Sequence, residues 1–383
     1  MRLIYVALKM LVGDRLKYIG LVAGIAFAAS LIVQQASILV GLAYQTGAFI
    51  RDTSFADLWL MDEQVRFSQD ALPINENALL RARGVVGVAW AVPLYQGFLK
   101  ARLPDGTRRL VILVGIDDAT LLGAPPEMVE GTLADLRRDK AVILNIDELE
   151  SKFKMKRGGG RGLRVGDVMS INDQDALVVG TYRASKSFFW EPLAYTTYSR
   201  ALHFAPPERR LMNYAMVKLE PGADVNNVRR RLEEATGLKA RTNDEFAQIT
   251  ADYILNETGI LVNFGLAVFL GFIVGALVAG QMLYNFTLDN LRYYGTLKAM
   301  GATNWRLAGM VMVQAATVAV LGYGIGLGLG SVLGKVVGAA GLAFRMPWEV
   351  PLCAGVAILA CCMLAGLISV RRVIMLEPGM VFR

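Results

Sequence analysis

The chain has 383 residues, a mean hydropathy of +0.42, only 19% charged residues and a formal net charge of +7. Soluble domains carry about 25% charged residues, and here the shortfall is local: residues 48–257 hold 28 Lys+Arg and 29 Asp+Glu, the other 173 residues only 12 and 4. The near-neutral middle lacks the basic stripe that nucleic-acid binding needs, so nucleic acid is not expected as a partner, and the excess positive charge sits beside apolar stretches.

The first 17 residues place Leu3, Ile4, Ala7, Leu8 and Leu11 on one helical face, with Arg2 and Lys9 opposite. That pattern predicts an interfacial amphipathic helix over 1–17. A bilayer core of about 30 Å needs about 20 apolar residues in a helix, and four stretches meet this, over 18–47, 258–288, 306–338 and 349–370. Ala26-Phe27-Ala28 resembles a leader cleavage site, but the apolar run continues well past it, which predicts a retained anchor.

Orientation follows from cations in the short loops. Arg2, Lys9, Arg15 and Lys17 precede the first span, Arg292, Lys298 and Arg306 lie between the second and third, and Arg371, Arg372 and Arg383 follow the fourth. Both termini and the 289–305 loop are therefore expected in the cytoplasm, as is the 371–383 tail. The long 48–257 insert and the short 339–348 loop are expected outside. The runs Tyr18–Ile50, Thr258–Leu288, Leu307–Gly334 and Val350–Val370 carry no charged residue, which argues against an ion-coupled carrier.

Small residues recur within the spans: Gly20, Gly24 and Ala28; Gly271, Gly275 and Ala279; and Gly322, Gly326, Gly330, Gly334 and Gly338. Each glycine costs a helix about 1 kcal/mol relative to alanine, and in lipid that cost is offset by close backbone approach. Packing within one subunit and packing against a second copy remain equal alternatives at this point.

The insert alternates strand and helix signals. Ala56–Met61 reads as a strand, and Gly97–Leu103 and Arg108–Gly115 flank the turn Pro104-Asp105-Gly106-Thr107, a hairpin signal. Further strands are expected over Ala141–Ile146, Val168–Ile171, Ala176–Tyr182, Asn213–Glu220 and Leu238–Thr242. Val225, Val228 and Leu232 form the apolar stripe of a helix whose Arg229, Arg230 and Arg231 face solvent, and Gly237 ends it. The fold class expected is four transmembrane α-helices with a large mixed α+β extracytoplasmic domain between helices 1 and 2.

Cys353, Cys361 and Cys362 all lie in the last apolar stretch, so no disulfide staples the insert, and the single histidine, His203, makes a zinc site improbable. Lys152–Arg164 contains Gly158-Gly159-Gly160-Arg161-Gly162, but no Gly-Lys-Ser/Thr follows. It reads as an exposed loop rather than a phosphate loop. No nucleophile, base and orienter stand at motif spacing, so no catalytic residue, metal or cofactor is expected and the chain reads as a non-enzyme.

Arg292…Gly295-Thr296-Leu297-Lys298-Ala299-Met300-Gly301-Ala302 resembles the signature R-x-x-E-I-G-x-L-K-A-x-G-A of MacB/FtsX-type ABC permeases, with Tyr294 near where that family often has an acidic residue. Tyr5-Val-Ala-Leu-Lys-Met-Leu is similar to the family's N-terminal helix, and Arg371-Arg372…Leu376-Glu377-Pro378 to its closing tail. Chain length, the lack of a fused ATPase and Val92-Pro93-Leu94-Tyr95 look most like the DevC-like branch.

The resemblance implies an inner-membrane permease subunit. A coupling helix formed by Arg292, Gly295, Thr296, Leu297, Lys298, Ala299, Met300 and Gly301 would seat on a separate ABC ATPase dimer that binds ATP and magnesium. It further implies a second permease copy, expected as a homodimer, and an HlyD-like periplasmic adaptor leading to an outer-membrane duct. An FtsX-like regulator of cell-wall hydrolases, or a lipid- or lipoprotein-extracting permease, is the alternative.

Overall fold

The computed structural model describes residues 2–53, 55–156, 160–188, 191–339 and 342–375. In chain order the elements are α1 (Arg2–Gly13), α2 (Arg15–Thr46), α3 (Ala48–Asp52), β1 (Leu58–Met61), α4 (Glu76–Arg83), β2 (Val88–Arg102), β3 (Arg108–Ile116), β4 (Glu127–Glu130), β5 (Ala141–Asn145), α5 (Ile146–Leu149), β6 (Val168–Ile171) and β7 (Gln174–Arg183). They continue with β8 (Leu193–Thr197), α6 (Tyr198–Phe204), β9 (Tyr214–Leu219), α7 (Val225–Thr236), β10 (Lys239–Thr242), α8 (Asn243–Glu257), α9 (Ile260–Asp289), α10 (Leu291–Ala299), α11 (Asn304–Ala339) and α12 (Glu349–Ile374). Two compact units result, residues 1–42 with 259–383, and residues 43–258.

In the first unit α2, α9, α11 and α12 are each long and apolar enough to cross a membrane. The glycines decide how they meet. A methyl group added at Gly322 would lie 2.7 Å from Ile25, one at Gly326 2.6 Å from Ala29, and one at Gly330 3.3 Å from Val33. The ridge of α11 thus presses on α2. Gly271 and Gly275 of α9 face Ile32 and Ala28 of the same helix, at 3.3 and 2.9 Å for an added methyl. Gly334 is covered by the Phe344 ring, and a methyl at Gly338 would lie 3.9 Å from Phe344 Cβ. So these glycines pack against their own chain. Gly324 and Gly328, on the other side of α11, have nothing within 4 Å of an added methyl among the described residues.

The link into α12 turns back along α2: Arg345 N–H donates to the Ser37 carbonyl at 3.1 Å, and a methyl at Gly41 would sit 2.8 Å from the Ala343 backbone. Outward, α9 leaves Val262, Leu266, Phe269 and Leu277 exposed, the apolar surface that a lipid-facing helix requires.

The second unit is built on one mixed sheet in the order β10-β1-β9-β2-β3-β8-β5-β7-β4, with β6 beside β2 and β7. Its strands alternate between two buried faces rather than between core and water. Leu58, Leu60, Val111, Leu113, Ala215 and Val217 enter one core, which also receives Leu79 and Ala82 of α4, Phe204 of α6 and Leu232 of α7. Trp59, Met61, Ile112, Val114, Tyr214 and Met216 enter the other, with Phe49 of α3 and Phe246 of α8.

The start of α8 is fixed by a reciprocal cap between Thr242 and Glu245, and by Trp59 Nε1–H, which donates to Asn243 Oδ1 at 2.6 Å. A methyl at Gly47 would meet Ala247 Cβ at 2.8 Å, so α3 and α8 run in close contact. Both β3 and β5 have parallel neighbours, β8 and β7, as well as antiparallel ones.

Three sequence expectations change in detail. Val225 is exposed, leaving Val228 and Leu232 as the buried stripe of α7. Arg229 is not a solvated cation: Nη1 lies 2.8 Å from Glu245 Oε1, on the helix that follows β10. The strand expected from Gly97 begins nine residues earlier, at Val88. The Gly158–Gly159 part of the basic loop and the closing motif beyond residue 375 lie outside the described residues. After the loop, Arg161 grips Asp167 with two hydrogen bonds of 2.6 and 2.9 Å.

Two predictions follow from this packing. Gly326→Val forces an overpacked α2–α11 contact worth roughly 1–3 kcal/mol, so its melting midpoint in detergent drops, whereas Gly328→Val leaves that midpoint near wild type. In the second unit, the Arg161 hydrogen bonds hold the Asp167 carboxyl below its ordinary range. A depressed carboxyl contributes stability above its unfolded value, near 3.9, and loses it as pH falls through the lower folded value. Urea midpoints of wild type and Asp167→Asn therefore differ at pH 6 and converge toward pH 3.

Candidate functional site

The site expectation centred on the segment between α9 and α11. Asn290 ends α9 with its Nδ2–H donating to the Phe286 carbonyl at 2.8 Å, and the chain restarts as α10. At the far end Ala302 N–H bonds to the Leu297 carbonyl and Gly301 N–H to the Lys298 carbonyl, both at 3.0 Å. Gly301 carries φ +94. This pair of bonds is a Schellman closure, with Gly301 in the left-handed position where a side chain costs about 1–2 kcal/mol.

The nine-residue α10 has two unlike faces. Gly295 and Tyr294 are buried, and Leu297 is half-buried against the cluster of Ala7, Leu307, Met310, Val311 and Val373. The Tyr294 hydroxyl donates to Gln314 Oε1 at 3.0 Å, and Gln314 Nε2 donates to the Ala7 carbonyl at 2.9 Å. One buried relay thus joins α10, α11 and α1. Burial pushes the Tyr294 phenol up to about 12, so it stays a neutral donor. Lys298 Nζ donates to the Ile374 carbonyl at 3.0 Å, placing a cation on the negative end of α12.

The opposite face is open. Arg292, Thr296, Ala299, Met300 and Gly301 are exposed, and so are two large side chains that the sequence reading passed over, Tyr293 at 62% and Trp305 at 88%, beside Met300 at 70%. Of the expected coupling residues, then, Gly295 and Leu297 turn inward, Lys298 ties to α12, and the other five face solvent. At the start of α2, Lys17 Nζ reaches Asp289 Oδ2 at 2.6 Å and Asp14 at 3.1 Å, an exposed cluster that contributes little. No group of metal-ligating side chains occurs among the described residues.

The part of the chain holding α10, residues 265–378, matches the model of the FtsX-like permease C-terminal, and residues 19–235 match the model of the MacB-like periplasmic core domain. The chain belongs to the MacB/FtsX-like family of ABC transporter permeases. Members of that family are transmembrane permease subunits, typically non-catalytic, that work with ABC ATPase partners on separate chains.

No curated protein matches the permease. Among solved structures it is similar to the extracellular domain of the noncanonic ABC-type transporter YknZ from Gram-positive bacteria, at 16% identity and TM-score 0.34, covering 49% of this chain and 98% of that one. It is also similar to the periplasmic region of MacB from Actinobacillus actinomycetemcomitans, at 14% identity and TM-score 0.37, covering 52% and 94%. A domain of a putative permease from Porphyromonas gingivalis matches at 15% identity and TM-score 0.32, covering 50% and 88%.

The buried relay gives a test within the permease. Tyr294→Phe strands Gln314 Oε1 without a donor and destabilises the first unit by about 1–3 kcal/mol, read as a lower unfolding midpoint in detergent. A double-mutant cycle with Gln314→Leu then returns a coupling energy of at least about 0.5 kcal/mol.

Proposed function

We propose that this permease subunit carries ATP-driven motion from a separate ATPase dimer to its extracytoplasmic domain, within an adaptor-linked export system of the DevC-like type. In this reading both termini and α10 are cytoplasmic, ATP and magnesium sit on the ATPase, and a second copy of the chain completes a homodimer. An HlyD-like adaptor and an outer-membrane duct receive the cargo.

One observation carries the reading. On α10 and the start of α11, Tyr293, Met300 and Trp305 stand exposed beside Arg292 and Arg306, while the reverse face is held inside the unit. Interface energy concentrates in a few large anchors surrounded by polar contacts, and this short segment offers that arrangement. Moving a two-state element from 1:99 to 99:1 requires about 5.5 kcal/mol of differential binding, which two copies of such a segment meet more readily than one. Export without passage between the helices accords with the charge-free runs Tyr18–Ile50, Thr258–Leu288, Leu307–Gly334 and Val350–Val370.

The deciding measurement is co-purification in mild detergent followed by mass spectrometry. Met300→Asp combined with Trp305→Asp leaves insertion and the melting midpoint intact, because both side chains are exposed, and removes the bound ATPase. Retention of the ATPase by that variant would overturn the coupling assignment. Lys298→Asp is a poorer probe, since Lys298 also ties α10 to α12.

A further inference from the structure

The strand β2 changes partners part-way along its length. Val88–Leu94 pair with β9, Ala101 and Arg102 pair with β6 on that same side, and the strand from Tyr95 onward pairs with β3 on the other. Between Leu94 and Ala101 the edge of β2 away from β3 therefore pairs with no strand among the described residues. Asn213 closes the upper end of this gap: its Oδ1 accepts from Gln96 N–H at 2.9 Å, and its Nδ2–H donates to the Ala71 carbonyl at 3.1 Å. At the lower end Asn172 N–H donates to the Lys100 carbonyl at 2.7 Å.

A cavity of about 330 Å³ opens onto the gap. Its walls are apolar at Pro73, Phe98 and Leu211, and Glu208 and Arg209 contribute one charge of each sign. Gln96 also lines it, 3% exposed, and neither Oε1 nor Nε2 of its carboxamide has a hydrogen-bond partner among the described residues. A buried amide left unpaired is a destabilising arrangement, and the neighbouring amides do not share this condition. Gln69 Oε1 accepts from Ser68 and Asn213 is engaged at both ends.

We propose that this cavity is a binding site for a short extended peptide segment carrying an apolar side chain. In an extended chain the N–H and C=O of one residue point to the same side, so a single carboxamide can accept from one and donate to the other. The open edge of β2 supplies the register for an added strand. The volume and the mix of apolar wall with a few polar groups fit a small ligand pocket. The balanced Glu208 and Arg209 charges favour an uncharged peptide stretch over a free anion or cation. This site lies wholly within the second unit and does not rest on the coupling role of α10.

The test uses the full-length chain in detergent, isothermal calorimetry, and capped tripeptides Ac-Ala-X-Ala-NH2 with X as Leu, Val or Phe. At least one tripeptide binds. N-methylation of its central amide, or the near-isosteric substitution Gln96→Met, weakens that binding about tenfold or more. Without peptide, Gln96→Met melts at or above the wild-type midpoint, because it removes an unpaired buried amide. The proposal is overturned if no tripeptide binds at millimolar concentration, if Gln96→Met binds as the wild type does, or if Gln96→Met melts lower, which would mean that the carboxamide already has a partner in the fold.

Discussion

Everything in the first unit depends on how closely backbones approach α2. In lipid there is no hydrophobic drive between helices, because the surrounding chains are as apolar as the side chains. What remains is dispersion, which falls away over fractions of an ångström. Gly322, Gly326 and Gly330 from one side, and Gly271 and Gly275 from another, press their helices against Ile25, Ala28, Ala29 and Ile32. The glycines are poor helix formers, and the packing they permit is what offsets that weakness. With α2 held this way, α11 has a fixed line along which α1 and α10 can dock, and Gln314 a fixed place from which to bond both.

The second unit meets a different constraint with the same economy. Its sheet buries both faces, so each strand must satisfy two cores at once, and a slip of one residue would exchange Leu58 and Leu60 for Trp59 and Met61. Trp59 adds a directional tie, since its indole N–H must find Asn243 at the head of α8. The helices by which the chain enters and leaves this unit, α3 and α8, therefore lie on the same face of a sheet whose register is strongly set.

Much of this was legible in the residue order. The four spans announced themselves because charge is excluded from lipid, and the β2–β3 hairpin because Asp105 and Gly106 meet the needs of a tight turn, Gly106 at φ +84 and Asp105 accepting from Thr107. Other parts were hidden for physical reasons. A glycine repeat states that something comes close without saying what, and only the fold shows that it is α2. Strand β8 pairs parallel to β3 from about 80 positions away in the chain, a relation no local pattern encodes. Helix α8 has a weakly sided sequence, NDEFAQITADYILNE, so its periodicity gave no signal. In the coupling motif the residue types could be matched to the family, but inward Gly295 and Leu297 could not be told from outward Met300, because that division is set by α1, α11 and α12.

The two faces of α10 also differ in how they respond to ionic strength. Inward, it is held by neutral hydrogen bonds from Tyr294 through Gln314 and by packing against Leu307 and Val311, contacts sheltered from dissolved ions. Outward, Arg292 and Arg306 stand in solvent, where the Debye length is about 10 Å at 0.1 M salt and about 3 Å at 1 M. Concentrated salt would therefore weaken recognition by an acidic neighbour while leaving the buried Tyr294–Gln314 seating untouched, so that about two and a half turns of helix separate an adjustable contact from a permanent one.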